Sequence, residues 1–347
     1  MNSKMKAAVL SKAREIVFEE RVIPVPQENE VLIKVKHVGI CGSDIHYYEY
    51  GRIGDFIVKS PLVLGHESSG EVVEVGKNVT AFQAGDTVTM EPGHTCGKCE
   101  FCKKGLYNLC KDVVFMATPP YDGAFVEYLA YPADMVFKLP AGMSTIEGAL
   151  IEPLAVGFHA ASQGGAKIGD SAMVLGSGCI GLVTLMTLKA MGVTTVYVAD
   201  VIPKRLKMAQ QLGASQVLKA DEQNVAESVM ELTQGQGVDM VFETAGNKIT
   251  TQQTSDLVKR GGRIVLVGMA PEATIQYDFG KLISKEASIQ TVFRYRNFYP
   301  AAIKAVESGM IPLKEIVTHT FQFAEIPQAM DISVKNKQDI VKSVIEF

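Results

Sequence analysis

The 347-residue chain has no tryptophan, few other aromatic residues (7%) and no surplus of charge of one sign, with 21% charged residues and a formal net charge of −4. It contains no run of lysine and arginine and no basic stripe, so the electrostatic footprint of a nucleic-acid binder is missing. No segment approaches the roughly 20 consecutive apolar residues that span a bilayer. The start, MNSKMKAAVL, has no apolar stretch followed by a small-residue cleavage site, and a cytoplasmic protein is expected. There is neither an internal repeat nor a low-complexity stretch. Cysteine is scarce as well, but four of the six fall in one short segment. In a reducing compartment such a cluster points to metal rather than to disulfides. The chain is longer than one typical core supports, so about two domains are expected.

What is there has two textures. Up to about residue 150, short runs rich in Val, Ile and Phe (EIVFEE, EVLIKVKHVGI, GEVVEVG, AFVEYLAY) alternate with Gly, Pro and Asn, the mark of an all-β module. From about residue 170 the strand-like runs SAMVLG, TTVYVAD, SQVLKA, VDMVFET, GRIVLVG and SIQTVFR alternate with helical stretches. That rhythm predicts an α/β fold with a doubly wound parallel sheet covered on both faces. Past about residue 294 the rhythm stops, and the tail FQFAEIPQAMDISVKNKQDIVKSVIEF reads as a helix followed by a last short strand.

The second texture opens on GSGCIG, which sets Gly176, Gly178 and Gly181 between the strand AMVL and the helix LVTLMTLKAMG. Such glycines let the backbone approach a pyrophosphate, whose charge sits at the helix N-terminus. The next strand ends in Asp200, nineteen residues after Gly181, where a carboxylate accepts hydrogen bonds from an adenosine ribose. Asp200 also repels a 2′-phosphate, which favours NAD over NADP. Arg205 is suited to meet that phosphate, but beside Asp200 it is expected to stack on adenine. Cys179, inside the loop, reads as a small buried apolar residue.

Cys96, Cys99, Cys102 and Cys110 follow the spacing C-x2-C-x2-C-x7-C. Four thiolates at tetrahedral reach suit zinc, and a closed set of four leaves no position for a substrate, so the role is structural. An iron–sulfur cluster is the alternative, because the first three cysteines share ferredoxin spacing, although no proline follows the fourth. A redox dithiol is poorly served by four cysteines at once.

A second group of ligand-capable residues lies upstream: Cys41 in VGICGSDIHYY, and His66 with Glu67 in LGHESSGEVVEVG. Taken singly, these read as a buried thiol, a satisfied core histidine and a surface or capping carboxylate. Together with ATPPYDGAFVEY, GALIEPLAVGFHA, VFRYRN, the cysteine segment and the glycine loop, they run nearly end to end. With these motifs the chain resembles the zinc-dependent medium-chain alcohol dehydrogenases, and among them it is most similar to the sorbitol (polyol) dehydrogenases. The resemblance implies a β-rich GroES-like catalytic domain, residues 1–153 and 293–347, and a Rossmann NAD-binding domain, residues 154–292, with the active site in the cleft between them. It also implies a homotetramer or homodimer.

The resemblance further implies two zinc ions. One is the closed cysteine site. The other is held by Cys41, His66 and Glu67, with a fourth position open to water or substrate. Glu152 stands where many alcohol dehydrogenases have a cysteine, and is expected to reach this metal through its water or to exchange with Glu67. Ile180, Val267, Gly268, Val292, Phe293 and Arg294 are expected along the dinucleotide beside Gly176, Gly178, Gly181, Asp200 and Arg205. The implied chemistry lowers the pKa of a substrate hydroxyl and passes a hydride from its carbon to the nicotinamide. Ser43 is expected to begin a proton relay that runs along the cofactor ribose to His46, while Asp44 orients the loop rather than binding metal. His37, His94, His159 and His319 have no comparable case.

Substrate choice is implied to rest on Tyr47, Glu152, Arg294 and Tyr295, donors and acceptors suited to a chain of hydroxyls. A polyol of the sorbitol or xylitol kind is expected. Arg296 adds a second cation, and paired arginines clamp phosphate or carboxylate. A polyol phosphate or a sugar acid such as idonate is therefore the alternative, followed by L-threonine or 2,3-butanediol. A zinc-free reductase of the same superfamily, or a non-catalytic nucleotide-binding protein, is told apart by metal content.

Overall fold

The computed structural model describes residues 3–272 and 274–347. They form two compact units, the first comprising the chain up to Glu152, Tyr299–Glu307 and Val317–Phe347, the second Pro153–Phe298 and Ser308–Ile316. The second unit thus extends beyond residue 292 and takes back a short segment after the helix Tyr299–Glu307.

The first unit is built on one large sheet. Its strands lie in the order Val136–Lys138, Thr87–Met90, Glu67–Val75, Glu30–Gly39, Lys342–Glu346 and Val317–Gln322, with Tyr128–Pro132 also paired to Glu30–Gly39. The end of the chain therefore enters the middle of the sheet. Gly39 stands opposite Glu67 on one side and opposite Val344 on the other. Inward-facing Val31, Ile33, Val35, Val38, Val72 and Val88 are buried, and pack with Phe125 and Leu64 into the core. β-Branched side chains fit this pleated, half-buried surface, which is why the runs read as strands.

The all-β reading of this region needs correction at three places. A helix, Gly42–Tyr50, follows Glu30–Gly39 directly, a single turn, Glu100–Lys103, lies in the cysteine segment, and a long helix, Thr145–Gly164, begins before the unit ends. The first has no amphipathic stripe to betray it. It is started by Cys41 as N-cap, whose N–H donates to the Asp44 carboxylate at 2.9 Å, and is stopped by Gly51 at φ 68°, a left-handed position that glycine takes without strain.

The second unit holds a six-stranded sheet in the order Gln216–Lys219, Thr195–Asp200, Ser171–Leu175, Val238–Glu243, Val258–Leu266 and Ser288–Thr291. Every neighbouring pair is parallel. These are the six runs read from the sequence; the central strands Ser171–Leu175, Thr195–Asp200 and Val238–Glu243 are nearly continuously buried, whereas the outer strands Gln216–Lys219 and Ser288–Thr291 are partly exposed. Strand order reverses at Ser171–Leu175, the switch point at which such sheets bind ligands. Among the described residues no helix is long and apolar enough to cross a membrane.

Candidate functional site

In the first unit, the helix cap, a loop and a strand end converge. Cys41 Sγ, a ring nitrogen of His66 and a carboxylate oxygen of Glu67 all lie within 4.8 Å of one another, a spacing that one ion with bonds of about 2.0–2.3 Å can draw together. Thiolate, imidazole and carboxylate are zinc donors, and three of them leave a position open. Asp44 holds two of the three in place. Fully buried, it accepts the N–H of Cys41 at 2.9 Å and that of Gly65 at 2.9 Å, and lies 3.6 Å from His66 Nδ1. With Nδ1 turned to Asp44, Nε2 is the ring nitrogen left for a metal.

Charge explains the rest of the arrangement. Burial works against ionised Asp44, yet the His66 ring and the two backbone N–H groups outweigh it and hold the carboxyl below its ordinary range. Burial likewise opposes a charged His66, and the charges of Asp44 and Cys41 override it, raising the imidazole well above its usual value. A metal takes the place of that proton when it binds. Glu67 is paired differently: Lys342 Nζ lies 2.7 Å from each of its oxygens and also donates to Ile40 O at 3.1 Å.

Glu152 is not among the three converging donors. Expected to reach the metal through water or by exchange with Glu67, it is buried in the helix Thr145–Gly164, where its charge faces Glu91. Burial pushes the Glu91 carboxyl up to about 7, with the Glu152 charge adding to the rise and the Tyr107 hydroxyl, 2.7 Å away, pulling against it. Ser43, His46 and Tyr47 share one side of the helix Gly42–Tyr50. Ser43 is half-buried, His46 exposed with its ring 5.9 Å from that of Tyr50, and Tyr47 buried.

The four cysteines close on one another. Sγ separations are 3.5 Å for Cys99–Cys102, 3.6 Å for Cys96–Cys110 and 4.0 Å for Cys96–Cys102, around the about 3.8 Å edge of a zinc tetrathiolate with bonds of about 2.3 Å. The N–H groups of Lys98 and Cys99 draw the Cys96 thiol down to about 6, whereas burial pushes Cys110 up to about 11. All four are unbridged.

The glycine loop of the second unit meets its close-packing demand: a Cβ at Gly181 would collide with the carbonyl of Gly176. Asp200 lies in the floor of a pocket of about 280 Å³ shared with Gly176, Gly178, Arg205 and Thr244. Its carboxylate already accepts four protein donors: the N–H and hydroxyl of Ser177 at 2.6 and 2.9 Å, and the N–H groups of Val201 and Ile202 at 2.8 and 2.9 Å. A ribose hydroxyl must therefore share these lone pairs. Ile180 is half-buried at the start of the helix Cys179–Ala190. Cys179 is half-buried rather than fully buried. The N–H groups of Val267 and Gly268 both donate to Glu243 O, and that of Val292 to Leu266 O.

The remaining residues divide between the units. Tyr47 and Glu152 belong to the first, Phe293, Arg294, Tyr295 and Arg296 to the second. Arg294 has φ 54° and its guanidinium lies 4.9 Å from the centroid of the Phe293 ring; Tyr295 is buried. Arg296 sits near buried His159, whose imidazole is pushed down to about 4 by burial and then by that positive charge. Sequence reasoning missed Lys342, Glu91 and Tyr107. Lys342 is 275 residues from Glu67, and no spacing signal joins them.

Residues 27–141 match the alcohol dehydrogenase GroES-like domain and residues 179–308 the zinc-binding dehydrogenase family. The chain is 42% identical to sorbitol dehydrogenase of Bacillus subtilis over 98% of its own length and 97% of that protein. The crystal structure of an Escherichia coli oxidoreductase/dehydrogenase of unknown specificity superposes with a TM-score of 0.96 at 46% identity, covering 99% of both chains. That of Escherichia coli L-idonate 5-dehydrogenase gives 0.93 at 28% identity over 100% of this chain and 99% of the other. With an open and a closed set of zinc donors and a dinucleotide loop on this fold, the chain belongs to the zinc-dependent medium-chain alcohol dehydrogenases, oxidoreductases of CH–OH groups that use zinc and a nicotinamide dinucleotide.

Proposed function

We propose that the protein oxidises a secondary hydroxyl of a sorbitol- or xylitol-like polyol to the ketose, with NAD as the hydride acceptor. The observation that carries the reaction type is the open donor set of Cys41, His66 and Glu67. The polyol preference is supported by the near full-length similarity to a sorbitol dehydrogenase, and by hydrogen-bonding side chains at Tyr47, Arg294 and Tyr295.

When bound, zinc supplies the Lewis acidity that lowers the pKa of the substrate hydroxyl. Cys41, His66 and Glu67 hold it, and Asp44 fixes the first two through the contacts described above. Glu152 acts as a hydrogen-bond acceptor for water or a substrate hydroxyl rather than as a permanent ligand. Ser43 takes up the departing proton as it releases its own hydroxyl proton toward His46, which is exposed on the same side of the helix and passes the proton to solvent. Gly176, Gly178, Gly181, Val267, Gly268, Val292 and Phe293 line the dinucleotide. The charge of Asp200, fixed by its four donors, disfavours a 2′-phosphate. The protein works as a cytoplasmic homo-oligomer, dimer or tetramer, a reading supported by the exposed edge strand Ser288–Thr291, which has one neighbour in its sheet.

A second reading rests on Arg296. Half-buried near His159, it is a cation held inward, suited to a phosphate or carboxylate on the substrate. A panel of sorbitol, xylitol, arabitol, a polyol phosphate, idonate, threonine and butanediol, each assayed with NAD and NADP, separates the two. The uncharged polyols are expected to give the highest kcat/KM, with NAD preferred by at least about tenfold. Preference for the phosphate or the acid favours the second reading, and preference for threonine or butanediol rejects both.

A further inference from the structure

The partner of Glu67 is fixed by strand register. Glu67 opens the strand Glu67–Val75, Gly39 lies opposite it on the next strand, and Val344 lies opposite Gly39 on the strand beyond. Lys342 precedes Val344 by two residues and so shares its face of the sheet. Its ammonium reaches across the glycine to the carboxylate, 2.7 Å from each oxygen, and a third contact, to Ile40 O at 3.1 Å, anchors it one residue from Cys41. Gly39 permits this, since a Cβ there would collide with Glu67 Oε2. The pair is sealed from water, the two side chains being 3% and 1% exposed.

A carboxylate held this way cannot give its full charge to a second cation. An ion on Cys41 and His66 meets a Glu67 whose charge is already shared with an ammonium, and the two cations repel across a poorly screened interior. We propose that Lys342 is a positioning residue for the open metal site: it competes with the ion for Glu67 and so sets how firmly the site keeps its metal. The proposal rests on the reading that Cys41, His66 and Glu67 hold zinc. Its consequence is a site that gives up some affinity to keep the ion short of negative charge, and therefore a stronger Lewis acid.

The test is the rate of zinc release from the holoprotein to an excess of chromophoric chelator, without substrate or cofactor, with the cysteine-site ion as internal reference. Lys342→Met is expected to slow release of the other ion by about tenfold or more, the scale on which neighbours of metal ligands act. Lys342→Gln, which removes the charge but keeps a hydrogen bond to Glu67, gives the same reading if Lys342→Met does not fold. The double variant Lys342→Met/Glu67→Gln, or its Lys342→Gln counterpart, is expected to release zinc like Glu67→Gln alone. Release at or above the native rate in the charge-removing variants overturns the proposal, as does slowing that persists without Glu67. If Cys41→Ser and Glu67→Gln both leave release unchanged, the ligand assignment itself fails, a distinct outcome.

Discussion

The four cysteines come from one fifteen-residue segment and approach one another at 3.5 to 4.0 Å, whereas Cys41, His66 and Glu67 come from a helix cap, a loop and a strand end. The closed set uses nearby backbone to tune its thiols. The open set depends on Asp44, which ties two loops, and on Lys342, brought in by the last strand of the sheet. A set whose donors are local assembles with its own segment. A set that must leave a coordination position vacant takes its order and its charge balance from the whole unit around it.

The two sets separate most strongly when one cysteine is removed from each. Cys99→Ser is expected to cost about 4 kcal/mol of stability, roughly 8–16 °C in Tm, with cofactor binding retained in the protein that survives. Cys41→Ser is expected to move Tm by only a few degrees while cutting kcat by about 10³-fold or more. Equal losses of Tm in the two variants would erase the distinction.

Glu152 sharpens it at the next level. As an acceptor outside the converging donors, Glu152→Gln should retain both zinc ions and lose about 10- to 100-fold in kcat. Metal analysis showing one ion lost would make it a ligand.

The smallest effect is expected at Glu91, on the border between the two sets. Its carboxyl titrates near 7 when folded against an ordinary 4.5. A raised folded value favours the protonated form, so its contribution is complete below about pH 4.5 and is lost as pH rises through about 7. Glu91→Gln keeps an acceptor for Tyr107 and removes this dependence. Between roughly pH 5 and pH 8 the variant should gain about 2 kcal/mol relative to the native chain in urea unfolding; parallel pH profiles would refute the burial account.

What could be read in advance follows the same local-versus-distant division. The cysteine spacing, the glycine loop with Asp200, and the six apolar strands were legible because each is a short-range pattern. The helix Gly42–Tyr50 was not, since its buried residues are Asp44, Tyr47 and Tyr48 and form no apolar stripe. Asp200 was legible as an acidic residue at a strand end, but its four protein donors depend on how two turns fold around it. Lys342 was illegible for a plainer reason: a lysine that opens a strand reads as solvated, and only the register across Gly39 turns it inward.

Tyr107 lies between the third and fourth cysteines, and its hydroxyl reaches out of the segment to Glu91, whose backbone carbonyl is in turn held by Tyr131 at 2.8 Å. The cysteine segment is therefore a wall-tie as well as a clasp. A chain starved of zinc loses more than one bound ion: as the segment loosens, a buried acid with Glu152 for a neighbour is left looking for a new donor. Shortage of the metal is thus felt in the interior by two routes, one through the vacant open site and one through a tyrosine that touches no metal at all.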